Sequence, residues 1–338
     1  MTGPVLGVIG IDHRHCYEML GNMLKVGATC KGWATDGTPG TLDGWVKRYP
    51  GLPRVEAEVL LDDPEIDMLI LSGVPCDRAD LAVRAMRAGK DVMVDKPGCT
   101  TFDQLAELRA VQAETGRFWS VNYSEHFQVA AVTKAAELIA EGAIGKVVQT
   151  IGMGPHRLNK PTRPDWFFDE AKYGGILGDI GSHQIEQFLF FTGAQDVEIV
   201  SSSVGNFANP DTPGLNDFGE CLLRGDGVQG YFRLDWYTPD ALPNWGDGRL
   251  TILGTEGYIE LRKYVDVAGR DGIDHLFLVN GTRCEYIDAS GAGLPYFAAL
   301  ANDIRDRTET AMGQDHCFRA QELALTAQAQ AVRLGHLA

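Results

Sequence analysis

Basic side chains are in deficit: 30 lysines and arginines stand against 46 aspartates and glutamates, for a formal net charge of −16. Phosphate backbones and anionic bilayers are held by a local excess of Lys and Arg, and no such cluster occurs, which disfavours nucleic-acid and anionic-membrane partners. Cysteine is sparse: the 7 cysteines, at 16, 30, 76, 99, 221, 284 and 317, show no short paired spacing. An odd, scattered set argues against a disulfide framework or a thiolate zinc site, so buried or free thiols are expected. Apolar runs long enough to span a bilayer are missing, and so is a basic-then-apolar leader ahead of Val5-Leu6-Gly7-Val8-Ile9-Gly10. Cytoplasmic residence is therefore expected. Internal repeats and low-complexity tracts are also missing.

Hydrophobic residues make up 44% and charged residues 22% of the 338, which is the composition of an ordinary globular protein too long for one core. Short apolar runs at 5–9, 29–34, 68–71, 92–94 and 118–121 alternate with helically spaced segments such as Leu81, Ala82, Ala85, Met86 and Ala88, ended by Gly89. Alternation of that kind implies an α/β, Rossmann-type parallel sheet over residues 1–124. From 125 the order changes. A helix over 129–139 leads to a strand over 147–151, then to a helix ending near Thr192-Gly193. Strands joined by tight turns fill 197–287, with hairpin signals at Gly225-Asp226-Gly227 and Asn280-Gly281 and a link at Gly254-Thr255-Glu256-Gly257. Residues 125–338 thus read as an α+β domain for substrate and oligomerisation, with a mostly antiparallel open sheet. Helices over 295–307 and 318–334 close the chain, the last of them able to pack back on the first domain.

Glycine is short where a dinucleotide fold uses it most. After the first strand a Gly-x-Gly-x-x-Gly turn normally lets the backbone approach a pyrophosphate, and here the sequence is Gly10-Ile11-Asp12-His13-Arg14-His15. The following helix still offers unpaired amides to phosphate, with His13, Arg14 or His15 as added donors. Asp36, near the end of the second strand, suits ribose hydroxyls and repels a 2′-phosphate, which favours NAD while leaving NADP open. His13 and His15 also read as a metal pair, but Asp12 is the nearest carboxylate and no further ligand is in view, so no metal is expected.

Two motifs carry chemistry. Asp95-Lys96-Pro97 follows a buried parallel strand, so Lys96 meets the crevice where open α/β sheets bind ligands. Thr101 and Gln104 behind it form a capping box. The run Gly174-Gly175-Ile176-Leu177-Gly178-Asp179-Ile180-Gly181-Ser182-His183 sets a carboxylate and an imidazole four residues apart. If helix begins at Asp179 the two share a face, and a carboxylate that fixes an imidazole's tautomer makes it a general base. The alternative is a helix start capped by Asp179, with His183 an ordinary polar residue. His156, Arg157, Arg163 and Trp166, with Trp245 behind them, supply donors and apolar platforms for a polyhydroxylated ring.

The chain resembles the Gfo/Idh/MocA oxidoreductases, the glucose-fructose oxidoreductase and inositol dehydrogenase group. The resemblance rests on Asp95-Lys96-Pro97, similar to the family's Glu-Lys-Pro with the acid shortened, on Asp179 and His183, on Val121-Asn122-Tyr123 and on Gly254-Thr255-Glu256-Gly257. It departs from the family pattern in the glycine-poor loop and at Glu125-His126, where an arginine-containing sequence is more usual. The resemblance implies Lys96, Asp179 and His183 as catalytic residues. Candidates for cofactor binding are Gly10, Asp12, His13, Arg14, Asp36, Ser72, Pro75, Asp95, Lys96, Pro97 and Asn122. Tyr123, His156, Arg163, Trp166, Asp179 and His183 are those for substrate. It further implies NAD(P)-dependent oxidation of a secondary alcohol of a sugar, cyclitol or related polyol by a homodimer or homotetramer. Two other functions remain: redox-assisted elimination or glycoside cleavage with recycled NAD, and a non-catalytic cofactor- or sugar-sensing regulator.

Overall fold

The computed structural model describes residues 3–335. They form two compact units, one of residues 3–122, 161–174 and 295–322, the other of 123–160, 175–294 and 323–335.

The first unit is built on five parallel strands, β1 (Val5–Ile11), β2 (Thr29–Ala34), β3 (Met68–Ser72), β4 (Asp91–Asp95) and β5 (Trp119–Asn122), in the order β2-β1-β3-β4-β5. Every residue of β3, β4 and β5 is buried, as sheets covered by helices on both faces require. The chain winds outward from β1 to β2 and then the other way through β3, β4 and β5, so a crevice opens at the carboxyl ends of β1 and β3. The capping box forms in part. Thr101 Oγ1 accepts from the Gln104 amide at 3.2 Å, while Gln104 Oε1 accepts from the Thr100 amide, at 2.9 Å, instead of that of Thr101.

The second unit carries β6 (Val147–Pro155), β7 (Val197–Gly205), β8 (Phe218–Gly225), β9 (Val228–Asp235), β10 (Arg249–Gly254), β11 (Gly257–Arg262), β12 (His275–Asn280), β13 (Cys284–Asp288) and β14 (Val332–Arg333). They make one sheet in the order β13-β12-β11-β10-β6-β9-β8-β7-β14. The three expected turns join β8 to β9, β10 to β11 and β12 to β13 in antiparallel pairs. Two pairs are parallel, β6 with β9 and β14 with β7. β6 is a central strand whose chain leaves through helix before returning to the sheet, and such a crossover permits parallel pairing. The last helix is Gln314–Ala329 and not 318–334, because Val332 and Arg333 leave the helix to pair with Ser203 and Val204.

One face of this sheet is covered. The helix Ala130–Ala140 buries Val132, Ala135 and Leu138 with Ile252, Ile259, Leu261 and Leu278. The helix Gly181–Thr192 lies close on β6 because β6 has glycines there. A Cβ on Gly152 would fall 2.2 Å from Gln184 Oε1, and one on Gly154 would fall 2.9 Å from Ile180 Cγ2. The other face leaves Ile151, Leu253 and Tyr258 exposed.

Candidate functional site

In the first unit the carboxyl ends of β1 to β3 enclose a cleft of about 970 Å³ lined by Gly10 and Asp12 after β1, Thr35 and Asp36 after β2, and Gly73 after β3. Gly10 has φ of +76°, and a Cβ on it would lie 2.5 Å from the Gly73 backbone, so only glycine lets these two strand ends approach. The single retained glycine of the loop thus has a steric reason. Arg54 Nη2 donates to the carbonyls of Thr35 (2.8 Å) and Gly37 (3.3 Å), which pins the loop that presents the exposed Asp36. Burial raises the Asp12 carboxyl above its ordinary value, and the charges of Asp36 and Asp77 push the same way against Arg78.

The missing glycines are replaced by a hydrogen-bonded cluster. Asp95, the last residue of β4 and fully buried, accepts from His15 Nδ1 at 2.8 Å and from the Lys96 amide at 2.8 Å through Oδ1. Its Oδ2 lies 2.8 Å from His13 Nδ1 and 3.3 Å from the Ser72 hydroxyl. The expectation that Asp12 is the nearest carboxylate to the histidine pair is therefore wrong. The sheet order brings Asp95 to them, and His13, His15 and Asp95 place one ligand atom each within 4.8 Å of one another. The local charge nevertheless suits an anion better than a divalent cation, since the Arg78 guanidinium stands 3.5 Å from Asp95 Oδ2 and Lys96 is adjacent in the chain. Burial pushes the His13 imidazole down to about 3, against the opposing pull of Asp95, so the ring is neutral near pH 7. Burial alone would raise Asp95, but His15, His13 and Arg78 outweigh it and hold the carboxyl well below its usual range. Arg14 is exposed at the start of the helix His15–Lys25, and Pro75 is buried at the start of a short 3₁₀ turn.

Arg78 is a residue the sequence reading did not single out. Its side chain is buried, its Nε donates to the Gly73 carbonyl at 2.8 Å, and its Nη1 donates to the carbonyls of Asp95 (3.0 Å), Lys96 (2.6 Å) and Pro97 (3.1 Å). One guanidinium thereby sets the backbone of the whole Asp-Lys-Pro motif, including the cis Lys96–Pro97 peptide, and with it the root of the buried Lys96 side chain. Only a basic residue at the start of an otherwise amphipathic helix hinted at this. Asn122 is fully buried at the end of β5. Arg163 and Trp166 also belong to this unit, with the Arg163 guanidinium 4.4 Å over the Phe167 ring.

Asp179 and His183 lie in the second unit, and both are buried. They do not share one continuous helix. Asp179 ends the short helix Gly175–Asp179, Ile180 breaks it, and His183 sits in the first turn of Gly181–Thr192. The glycines upstream mark where the short helix begins. Gly175 has φ of +73°, and a Cβ on it would fall 2.1 Å from the Gln328 carboxamide, which accepts from the Leu177 amide at 3.1 Å and donates to Asn216 Oδ1 at 3.0 Å. The Tyr123 ring stands edge-on to His183 with centroids 6.2 Å apart. His156 lies among Trp236 and Trp245, with ring centroids 5.3 and 4.6 Å away. Arg157 is bound to the carbonyls of Pro239 (2.8 Å) and Leu242 (2.6 Å), a loop-holding arrangement. Glu125, noted in the sequence only as a departure, is buried and accepts at Oε2 from Lys263 Nζ and Gln184 Nε2, both at 2.8 Å.

Comparison with known proteins gives two family matches. Residues 48–123 match an oxidoreductase family with an NAD-binding Rossmann fold, and residues 132–260 match the GFO/IDH/MocA C-terminal domain. The first match starts beyond the glycine-poor loop. A solved structure from Erwinia carotovora atroseptica, described as a candidate oxidoreductase, is 43% identical over 98% of this chain and 100% of its own, with a TM-score of 0.95. The 1,5-anhydro-D-fructose reductase of Ensifer adhaerens is 30% identical over 45% of this chain and 46% of its own. The chain spans under half the length of the curated relatives it matches. A levoglucosan dehydrogenase solved with NADH and levoglucosan shares the fold, with a TM-score of 0.76 at 18% identity over 97% of this chain and 95% of its own.

Proposed function

We propose, for a chain that belongs to the Gfo/Idh/MocA family of NAD-binding oxidoreductases, the interconversion of a secondary alcohol of a sugar, cyclitol or related polyol with its ketone. The observation that carries this reading is His183, an imidazole 1% exposed in the first turn of a helix, preceded by the buried carboxylate of Asp179. Desolvated ionisable groups of this kind cost stability and cluster where a proton is moved. Relatives named for an anhydrofructose and for levoglucosan support a sugar-derived substrate.

The cleft after β1, β2 and β3 fits a dinucleotide. Gly10 lets the ends of β1 and β3 close on each other, Ser72 and Asn122 end β3 and β5 with Pro75 beyond β3, and His13 and Arg14 stand at the helix start for the pyrophosphate. When bound, nicotinamide supplies the hydride acceptor or donor. The protein's own part is proton handling and placement. In the oxidation direction His183 takes the hydroxyl proton on a ring nitrogen, and Asp179 favours the imidazolium that results. Lys96 donates a hydrogen bond to oxygen that gains negative charge, an effect strengthened by its own burial.

Asp36, Asp12 and Asp77 line the cleft, and the Arg54 guanidinium beside Asp36 is occupied by the Thr35 and Gly37 carbonyls. A 2′-phosphate meets more repulsion there than attraction, so NAD is expected to bind at least about tenfold more tightly than NADP, a difference of about 1.4 kcal/mol. Titration calorimetry with both cofactors, repeated on Asp36→Ser, measures the preference and its narrowing. The exposed apolar residues Ile151, Leu253 and Tyr258 on β6, β10 and β11 support assembly of copies through the open sheet face. Light scattering is expected to give a multiple of the chain mass, and Ile151→Glu with Tyr258→Glu a lower one.

The reaction itself is tested by a spectroscopic screen of sugars, inositols and sugar acids with NAD and NADP. Steady formation of reduced nicotinamide is the expected result. Glycoside cleavage without net reduction, or cofactor binding without any turnover, contradicts it.

A further inference from the structure

A buried ion pair sits beside the helix turn that bears His183. Lys263 has no exposed surface and Glu125 is 2% exposed, and neither is near enough to solvent for water to compensate its charge. Pairs of this kind are often replaceable by apolar side chains without loss of stability, so a fold gains little from them. The position of this one is specific. Glu125 Oε2 accepts from Lys263 Nζ and from Gln184 Nε2, and Gln184 follows His183 directly in the sequence. The Gln184 carboxamide occupies the space that a side chain on Gly152 of β6 would fill, so the first turn of the His183 helix is wedged between a strand glycine and the Glu125 carboxylate. Burial alone would raise Glu125, but Lys263 first and then the imidazoles of His183 and His156 outweigh it and bring the carboxyl down to about 2. The same carboxylate adds to the burial that pushes Tyr264 well above its ordinary value.

We propose that Glu125 is a positioning residue for the acid–base step, holding the His183 imidazole in place through Gln184 and favouring its protonated form, with Lys263 keeping the carboxylate ionised. The proposal rests on the reading of His183 as the proton acceptor. Within the second unit, other titratable groups belong to the same helix, to elements packed against it or to the Glu125 pair. Asp179 precedes it and Tyr123 stands edge-on to it. Glu186 on the same helix is bonded to His126 at 2.9 Å. His156 follows β6, while Lys263 and Tyr264 follow β11. Glu125 is the carboxylate bonded to the residue next to His183, which makes its removal the informative change.

The experiment is an NMR titration of the imidazole resonances in the cofactor-free protein, with His183 identified by its loss in His183→Asn, alongside the pH profile of kcat/KM for the substrate found by screening. In Glu125→Gln the His183 midpoint is expected to fall by about one pH unit, since an opposite charge nearby typically moves a group by about 1–3 units. The acid limb of kcat/KM is expected to move the same way. Lys263→Arg, which keeps the charge, is expected to restore most of the wild-type midpoint relative to Lys263→Met. If Glu125→Gln does not fold, Glu125→Gln with Lys263→Met removes both charges together, and the midpoint is expected to fall by a smaller amount. A His183 midpoint within about 0.2 of wild type in a folded variant overturns the proposal. Because the titration needs no turnover, its outcome is separate from the fate of the assigned reaction. A shifted midpoint in a protein that turns over no alcohol retires the reaction and keeps the coupling.

Discussion

Replacing His183 with asparagine is expected to lower kcat by about 10²–10⁴-fold while the dissociation constant for NAD stays within about twofold. Asparagine keeps a polar group of similar size in the first turn of Gly181–Thr192, so packing against β6 and β9 is preserved. The lost function is proton acceptance, because an amide nitrogen cannot take the proton that an imidazole takes near neutral pH. His183 belongs to the second unit and the dinucleotide cleft is lined by first-unit residues alone, which is why cofactor affinity and turnover should separate. Steady-state kinetics and a fluorescence titration with NAD measure the two quantities. Near-normal turnover in the variant removes His183 from the reaction, and a matching loss of NAD affinity reassigns it to folding.

Replacing Arg78 with methionine is expected to destabilise the first unit by about 3–5 kcal/mol, the usual cost of breaking a buried charge arrangement from one side. Four carbonyl oxygens lose their donor, those of Gly73, Asp95, Lys96 and Pro97, and the Asp95 carboxylate loses a cation 3.5 Å away. Lysine at this position keeps the charge but cannot serve carbonyls on several sides from one nitrogen, so Arg78→Lys is expected to recover less than half of the loss. Hydrogen exchange at the amides of Asp95, Lys96 and Gly98, with a urea midpoint read from tryptophan fluorescence, reports both effects. The cluster also predicts an acid sensitivity of definite sign. The Asp95 carboxyl is held well below its ordinary 3.8, so its contribution to stability is present above that pH and is lost as the pH falls further. In Arg78→Met the loss still begins near 3.8 but is smaller in total and complete at a higher pH, because the folded carboxyl is less depressed.

The strand positions of the first unit were legible in the sequence because parallel strands buried on both faces read as uninterrupted apolar runs, and the run expected over 68–71 is β3, Met68–Ser72. The hairpin turns of the second unit were legible for a different reason, since Asp226 and Gly227 both take positive φ, a conformation that turn residues favour. Other features depend on contacts distant in sequence. Nothing near Val332 announces a strand, because its pairing partner is Ser203. The start of the short helix at Gly175, which packs under Gln328 from the end of the chain, was hidden for the same reason, and the spacing of Asp179 and His183 alone suggested one helix where the chain is interrupted at Ile180. Asp95 was read as part of a strand-end motif, but its role as acceptor for His15 became visible only once β4 and the β1 loop were brought together. Arg78, Glu125 and Lys263 were missed for a common reason: a charged residue reads as surface until its buried partner is known.

The most direct test of the assigned chemistry is an isotope-transfer measurement. The wild-type protein is incubated with NAD and a substrate polyol deuterated at the carbinol carbon, and the reduced cofactor is examined by mass spectrometry. One deuterium carried into the reduced nicotinamide, with the ketone formed in equal amount, is the expected result. Product formed with the label left in the sugar or released to water, and no labelled reduced cofactor at any time, contradicts hydride transfer as the reaction of this chain.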